Sequence, residues 1–269
     1  MTGLFGWLRR GRRSESTLRP DGRVYAIGDL HGRADLLRRA MAWIGDDMAE
    51  RGGATIVLLG DYVDRGDQAA EVLEIVTALT GRPDVVALKG NHEAMFEAFL
   101  AAPDGQGSGW LRFGGAQTLA SFGITGVTEA DPPRHLRVAA EALRAALPAG
   151  LEAWLAARPV WWRSGNLICV HAGLDPDLPP EAQLDDVALW GHPAFLRRGR
   201  RDGCWVAHGH TIVDRAVARD GRIPLDTGAY ATDRLTVGAF GPGELRLREI
   251  TLADPDGVRA LPRETSGIE

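Results

Sequence analysis

The chain has 269 residues, is 45% hydrophobic and 25% charged, and carries a formal net charge of −5. That length can bury a sizeable core without disulfide or metal staples, as one large domain or two small ones. The acidic balance disfavours nucleic-acid binding as the main role, and no apolar stretch approaches the roughly 20 residues that span a bilayer.

Residues 1–13 are basic and include Leu4, Phe5, Trp7 and Leu8. They lack the long apolar core and cleavage site of a secretory signal. They read as part of a tail over 1–18, with contact to an anionic membrane surface as the alternative. Residues 24–29 read as a buried strand ending in a glycine turn. Leu36, Leu37, Ala40, Met41 and Ile44 are spaced as on a helix and predict one over 35–50. A β-branched run predicts a second strand over 55–59. A second helix follows over 68–79, with Gly81 as its stop. A third strand over 84–88 leads to a third helix over 93–101. This repeated order implies a parallel or mixed sheet with functional groups at the carboxyl ends of its strands.

Residues 103–159 leave that rhythm. Gly105, Gly107 and Gly109 predict a loop, and helical segments follow over 116–121, 134–146 and 151–157. The stretch reads as a helical elaboration of a single domain over 19–252. Strands are predicted over 160–163, 167–170, 205–207, 216–219, 235–239 and 245–250, with a hairpin turn at Asp220-Gly221. Residues 253–269 read as a C-terminal tail. Cys169 and Cys204 form no CxxC pair and read as buried, reduced thiols of a cytoplasmic protein. Trp161, Trp162, Trp190 and Trp205 are expected in the core.

Five short segments carry the chemistry: Gly28-Asp29-Leu30-His31-Gly32, Gly60-Asp61-Tyr62-Val63-Asp64-Arg65-Gly66, Gly90-Asn91-His92-Glu93, His171-Ala172-Gly173 and His208-Gly209-His210. They hold five of the seven histidines and one of the two asparagines, a clustering that scattered core or surface histidines do not produce. Residues i and i+2 of an extended segment point the same way, so Asp29 and His31 can reach one ion. Asp61 and Asn91 end the next two strands, and His171 and His210 can close the site from the β-rich half. Carboxylate, imidazole and amide ligands around two ions suit Mn²⁺, Fe or Zn²⁺. Two such ions clamp a phosphate ester and acidify a bridging water, whose hydroxide attacks phosphorus in line. Arg65 fits phosphate binding. His92 fits a general acid for the leaving oxygen, with Asp64 holding its tautomer. His208 reads as a supporting neighbour, and His135 as a surface residue.

With the later Leu225-Asp226-Thr227-Gly228, these motifs resemble the phosphoprotein phosphatase family of metal-dependent Ser/Thr phosphatases, in its bacterial and lambda-phage-type branch. The resemblance implies an α/β four-layer metallophosphoesterase sandwich, two mixed sheets flanked by helices. It implies one metal held by Asp29, His31 and Asp61, and a second held by Asp61, Asn91, His171 and His210, with Asp61 bridging. It implies a phosphorylated protein or a small phosphoester as substrate. Lambda-type relatives carry a second phosphate-binding arginine shortly after a Trp. The matching position here is His192, with Arg197, Arg198, Arg200 or Arg201 nearby as substitutes. The main rival reading is a diadenosine polyphosphate hydrolase. Those enzymes have alanine where this chain has Asp64 and aspartate where it has Glu93. A catalytically inactive metal-binding scaffold would be favoured by a missing ligand or a missing Arg65, and none is missing.

Overall fold

Short runs of apolar residues without alternation become strands buried on both faces, as parallel sheets require. In the computed structural model, which describes residues 16–252 and the backbone of 258–260, β1 (Val24–Ile27), β2 (Thr55–Leu58) and β3 (Val85–Ala87) form a parallel unit. Two crossover helices, α1 (Ala34–Arg51) and α2 (Ala69–Leu79), link them. β8 (Arg234–Gly241), β9 (Glu244–Thr251) and β10 (Val258–Ala260) pair antiparallel beside β1. The first sheet is therefore mixed, in the order β10-β9-β8-β1-β2-β3. The second has the order β4-β5-β6-β7, from β4 (Trp161–Ser164), β5 (Leu167–Val170), β6 (Trp205–His208) and β7 (Arg222–Pro224). β4 runs antiparallel to β5, and the other two pairs are parallel.

Side-chain alternation assigns the layers. Tyr25 and Ile27 of β1 pack outward with Leu36, Leu37, Val72 and Val76 of the first two helices. Val24 and Ala26 pack inward with Leu167, Cys169 and Ala207 of the second sheet. Ile168, Val170 and Val206 face the far side, against Leu174, Phe195 and Ala188 of α8 (Asp185–Trp190). The order is helices, sheet, sheet, helix: the four-layer α/β sandwich.

Differences from the expected elements have local causes. The predicted glycine loop is a helix. α4 (Pro103–Trp110) begins with Pro at its first position, where the missing N–H costs nothing. Gly107 lies where a Cβ would come within 3.2 Å of the Phe99 ring, so its bareness lets α4 close on α3 (Asn91–Ala101). A π-helical turn (Leu111–Gly115) then leads into α5 (Ala116–Ser121), followed by α6 (Pro133–Ala146) and α7 (Leu151–Ala156). No strand forms over 216–219. One bridge, Arg219 to Arg222, closes the Asp220-Gly221 turn, whose residues both have positive φ as a two-residue hairpin needs. The strand is instead β7, three residues ending in Pro224, too short to show a period.

Trp190, expected in the core, is 49% exposed; Trp161 and Trp162 are half-buried, and Trp205 is buried. Both cysteines are buried free thiols. Residues 1–15 of the basic tail lie outside the described residues, including the stretch considered for membrane contact. Leu18, placed in the tail, is instead buried between the sheets. Within the stretch read as a C-terminal tail, 258–260 form β10. Among the described residues, no helix is long and apolar enough to cross a membrane.

Candidate active site

The loops after β1 and β2 are stitched together by their backbones. The Leu30 and His31 N–H groups donate to the Asp61 carbonyl at 3.1 and 2.8 Å. From the other sheet, the Gly209 N–H donates to the His171 carbonyl at 2.7 Å. His31, Asp61, Asp64, Arg65 and His210 all have positive φ, between 41° and 70°. Such backbone costs of order 1–3 kcal/mol per residue and persists where its surroundings over-determine it. Among the described residues other than glycine, only Asp220 and Asp233 share it outside the site.

Glu93 is a principal brace. It is fully buried, and its two oxygens accept the N–H groups of Asp61, Tyr62, Val63 and Gly90 at 2.7–3.3 Å. Burial, aided by the charge of Asp61, pushes its carboxyl up to about 7. Glu93→Ala leaves several buried donors without an acceptor, each costing about 1–3 kcal/mol. Chemical denaturation is expected to show a loss of at least about 3 kcal/mol. An unchanged midpoint would show that the turn does not need this carboxylate.

The candidate ligands converge as two groups that share Asp61: His31, Asp61 and His92, and Asp61, His171 and His210. Asp61 Oδ2 lies 3.4 Å from His31 Nε2, and Oδ1 lies 3.3 Å from His171 Nε2. Asn91 Oδ1 is 2.8 Å from His171 Nε2 and 2.9 Å from His210 Nδ1. The structure thus brings Asp61, Asn91, His171 and His210 together. In the other group His92 stands where Asp29 was expected. Asp29 is buried beside it, its Oδ2 accepting the His210 N–H at 2.9 Å. A Cβ at Gly209 would lie 1.9 Å from Asp29 Oδ1, so this closeness requires glycine.

These residues fit divalent cations. His31 Nδ1 faces the Val63 carbonyl at 2.8 Å and His171 Nδ1 faces that of Leu59 at 3.0 Å. Each Nδ1 therefore carries the proton, and each Nε2 turns a lone pair inward. His31 Nε2 and Asp29 Oδ1 are buried without a hydrogen-bond partner. At the other group, the His171 lone pair faces two further acceptors, Asn91 Oδ1 and Asp61 Oδ1. Acceptors converging without protons between them are what a cation relieves. The charges agree. Burial lowers the His31 and His171 imidazoles to about 3 and about 4, so both stay neutral. Burial opposes charge on Asp61, but its surroundings, including His92 and the His92 backbone N–H, outweigh burial and lower the carboxyl. Burial, with the charges of Asp226 and Asp61, raises Asp29 well above the usual range.

Beside the ligands stands a second constellation. His92 Nδ1 is 2.6 Å from Asp64 Oδ2, and Arg65 Nη2 is 3.0 Å from His92 Nε2. Burial works against charge on His92, but the carboxylates of Asp61 and Asp64 win and raise its pKa. His208 is packed instead, against Phe195 and the Gly209 carbonyl. His135 is exposed. His192 is found beside Asp175, 3.9 Å away, with the Ala194 N–H on its Nδ1. Among the described residues, none of its polar contacts reaches Arg65 or His92. Arg198 is held by Asp177, and Arg200 by Asp202 and two carbonyls. Arg197 and Arg201 are exposed.

Two site residues escaped sequence reasoning. Asp226 is a charged neighbour of Asp29, and burial pushes its carboxyl up to about 6. Its Leu-Asp-Thr-Gly motif was visible, but nothing in the spacing tied it to Asp29. Tyr230 lies under the Arg65 guanidinium, 5.0 Å from ring centroid to Cζ, and edge-on to His31. It carried no signal.

Two sheets whose loops gather carboxylates and imidazoles around one shared aspartate define a metallophosphoesterase, an enzyme class that hydrolyses phosphoric esters. The chain belongs to the calcineurin-like phosphoesterase family, whose model matches residues 22–225. It is similar to the symmetrical bis(5'-nucleosyl)-tetraphosphatase of Methylococcus capsulatus, 29% identical over 57% of this chain and 44% of that protein. PrpE, the asymmetrical bis(5'-nucleosyl)-tetraphosphatase of Bacillus velezensis, is 26% identical over 78% of this chain and 86% of its own length. Serine/threonine-protein phosphatase 2 of Escherichia coli is 31% identical over 34% of this chain and 38% of that protein. The chain thus spans less than half of the Methylococcus and Escherichia proteins. A cold-active protein-tyrosine phosphatase from a psychrophilic Shewanella shares the fold, with a TM-score of 0.56 at 15% identity over 91% of this chain and 83% of the other.

Proposed function

We propose that this chain is a two-ion phosphomonoesterase acting on phosphorylated protein. The observation that carries the reading is the line Asp64–His92–Arg65 beside the shared Asp61. Asp29, His31, Asp61, Asn91, His171 and His210 would hold the ions, most naturally Mn²⁺, with Fe or Zn²⁺ as alternatives. Bound ions would supply positive charge at the phosphate and make water nucleophilic at neutral pH.

The chain's own groups do the rest. Arg65 binds phosphate oxygens with its fork of donors. At rest the same guanidinium faces the Nε2 lone pair of His92. Phosphate draws Arg65 away and leaves Nε2 open to take a proton from solvent. Asp64 holds the opposite nitrogen, so the ring presents Nε2 to the leaving oxygen and protonates it there. The second phosphate contact falls to the segment 192–201. His192 sits against Asp175, and Arg198 and Arg200 are committed to aspartates. Arg197 and Arg201, both exposed, remain the candidates for that contact.

A second reading, hydrolysis of diadenosine polyphosphates, is favoured by the names of the Methylococcus and Bacillus relatives. Asp64 and Glu93 favour the protein phosphatase, because the similar diadenosine polyphosphate hydrolases have alanine and aspartate at these two positions. A panel of phosphoserine peptide, p-nitrophenyl phosphate and diadenosine tetraphosphate at equal Mn²⁺ loading separates them. The two monoesters are expected to have the higher kcat/KM. Preference for the dinucleotide would install the second reading, and no turnover of any substrate would leave a metal-binding scaffold.

A further inference from the structure

The helical insertion between β3 and β4 touches the catalytic line through residues that no motif of the site contains. Asp64 is fully buried. Besides His92, its carboxylate takes two side-chain donors. The Trp110 indole N–H, at the end of α4, lies 2.9 Å from Oδ2 and 3.1 Å from Oδ1. The Thr118 hydroxyl, on α5, lies 2.7 Å from Oδ1. The same hydroxyl oxygen accepts the Asp64 backbone N–H at 2.8 Å. Both side chains are buried, and the indole is stacked on Phe99 and edge-on to Phe96. Those phenylalanines belong to α3, the helix that begins with Asn91 and His92. Between the two donors, the π-helical turn reaches the next residue. The Gly114 carbonyl accepts the Arg65 N–H at 3.3 Å. Gly114 has φ 108°, and a Cβ there would lie 2.5 Å from Arg65 N. Only glycine permits both the conformation and the approach.

We propose that Trp110 and Thr118 are positioning residues of the phosphatase reaction: they fix the Asp64 carboxylate so that it holds Nδ1 of His92 and aims Nε2 at the leaving oxygen. A buried carboxylate facing one imidazole can rotate about its last bond. Three donors on two oxygens, from three directions, remove that freedom. The backbone of Asp64 and Arg65 is left-handed at both residues and does not hold itself. The insertion supplies its outside clamp through Thr118 Oγ1 and the Gly114 carbonyl. The insertion is on this account a wall of the active site and not an appendage.

The inference rests on His92 acting as the acid, and the experiment keeps the two claims apart. Trp110→Phe keeps an aromatic ring on Phe99 and removes the donor. Thr118→Val keeps shape and removes the hydroxyl, and Thr118→Ser restores it. With Mn²⁺-loaded enzyme, Trp110→Phe and Thr118→Val are each expected to lower kcat on phosphoserine peptide by roughly 10- to 100-fold, as loss of an outer partner typically does. KM and bound metal stay unchanged, p-nitrophenyl phosphate loses less, and Thr118→Ser recovers most of the rate. In a His92→Asn background the same substitutions should cost nothing further. In protein labelled with ¹⁵N-histidine, the His92 Nδ1–H signal, far downfield in the parent, should move in both variants. An unmoved signal with unchanged kcat overturns the proposal, as does the same fold-loss in the His92→Asn background. A moved signal alongside a harmless His92→Asn would instead uphold the positioning and sink the acid role.

Discussion

Asp61→Asn is expected to leave at most one bound ion per chain and to lower kcat/KM by more than about 100-fold, beyond what losing an outer-sphere partner costs. Asp61 is the one carboxylate in both candidate groups, with one oxygen toward His31 and the other toward His171. The substitution removes the charge and one acceptor. Which side suffers more follows from the backbone. The His92 N–H donates to Asp61 Oδ1 at 3.1 Å, so an amide places its oxygen there and turns its NH₂ toward His31 and His92. The group around His31 then meets a donor where it needs an acceptor. The group around His171, Asn91 and His210 keeps an oxygen. Elemental analysis should fall from two ions to one or fewer, and chelation of the parent should abolish turnover. Two tightly held ions with parental activity in Asp61→Asn would remove the bridging role from this residue.

Much of this architecture could be read before any coordinates. The inner strands carry β-branched or apolar residues without alternation, and each ends in a glycine-flanked polar group. That pattern pointed to Asp61 and Asn91, and the structure brings both beside His171 and His210. Asp29 lies outside the two tightest groups because i, i+2 geometry holds for an extended segment. The chain turns left-handed at His31, and Asp29 faces Asp226 and the His210 N–H. Trp110 and Thr118 were not legible for another reason. They lie 46 and 54 residues from Asp64, Trp110 beside glycines that suggested a loop and Thr118 in a predicted helix with nothing to tie it to Asp64. Gly107 permits helix packing, and Gly114 permits the approach of the π-helical turn to Arg65. Sequence alone does not tell glycine used for a turn from glycine used for closeness. For His192, position after a tryptophan gave no information on its contacts, and its ring sits beside Asp175.

His92→Asn is expected to keep the fold and both ions yet lose roughly 10²- to 10⁴-fold in kcat on phosphoserine peptide, the span of a general acid. The prediction separates chemistry from scaffolding because the His92 backbone contact to Asp61 survives the change. Asparagine also keeps polar atoms near Asp64. What disappears is the proton at Nε2. That proton matters in proportion to the basicity of the departing oxygen. An alkoxide leaves poorly and needs protonation as the P–O bond breaks. A nitrophenolate is already stable as an anion and needs little help. The loss on p-nitrophenyl phosphate should therefore be much smaller than on phosphoserine, and the two parental rates should diverge in the variant. Asp64→Asn should follow the same leaving-group pattern more mildly, since the imidazole remains but loses the carboxylate that orients it. Equal losses on both substrates would mean that His92 acts through the ion pair of groups around Asp61, where the geometry also allows it to reach, and not as the acid.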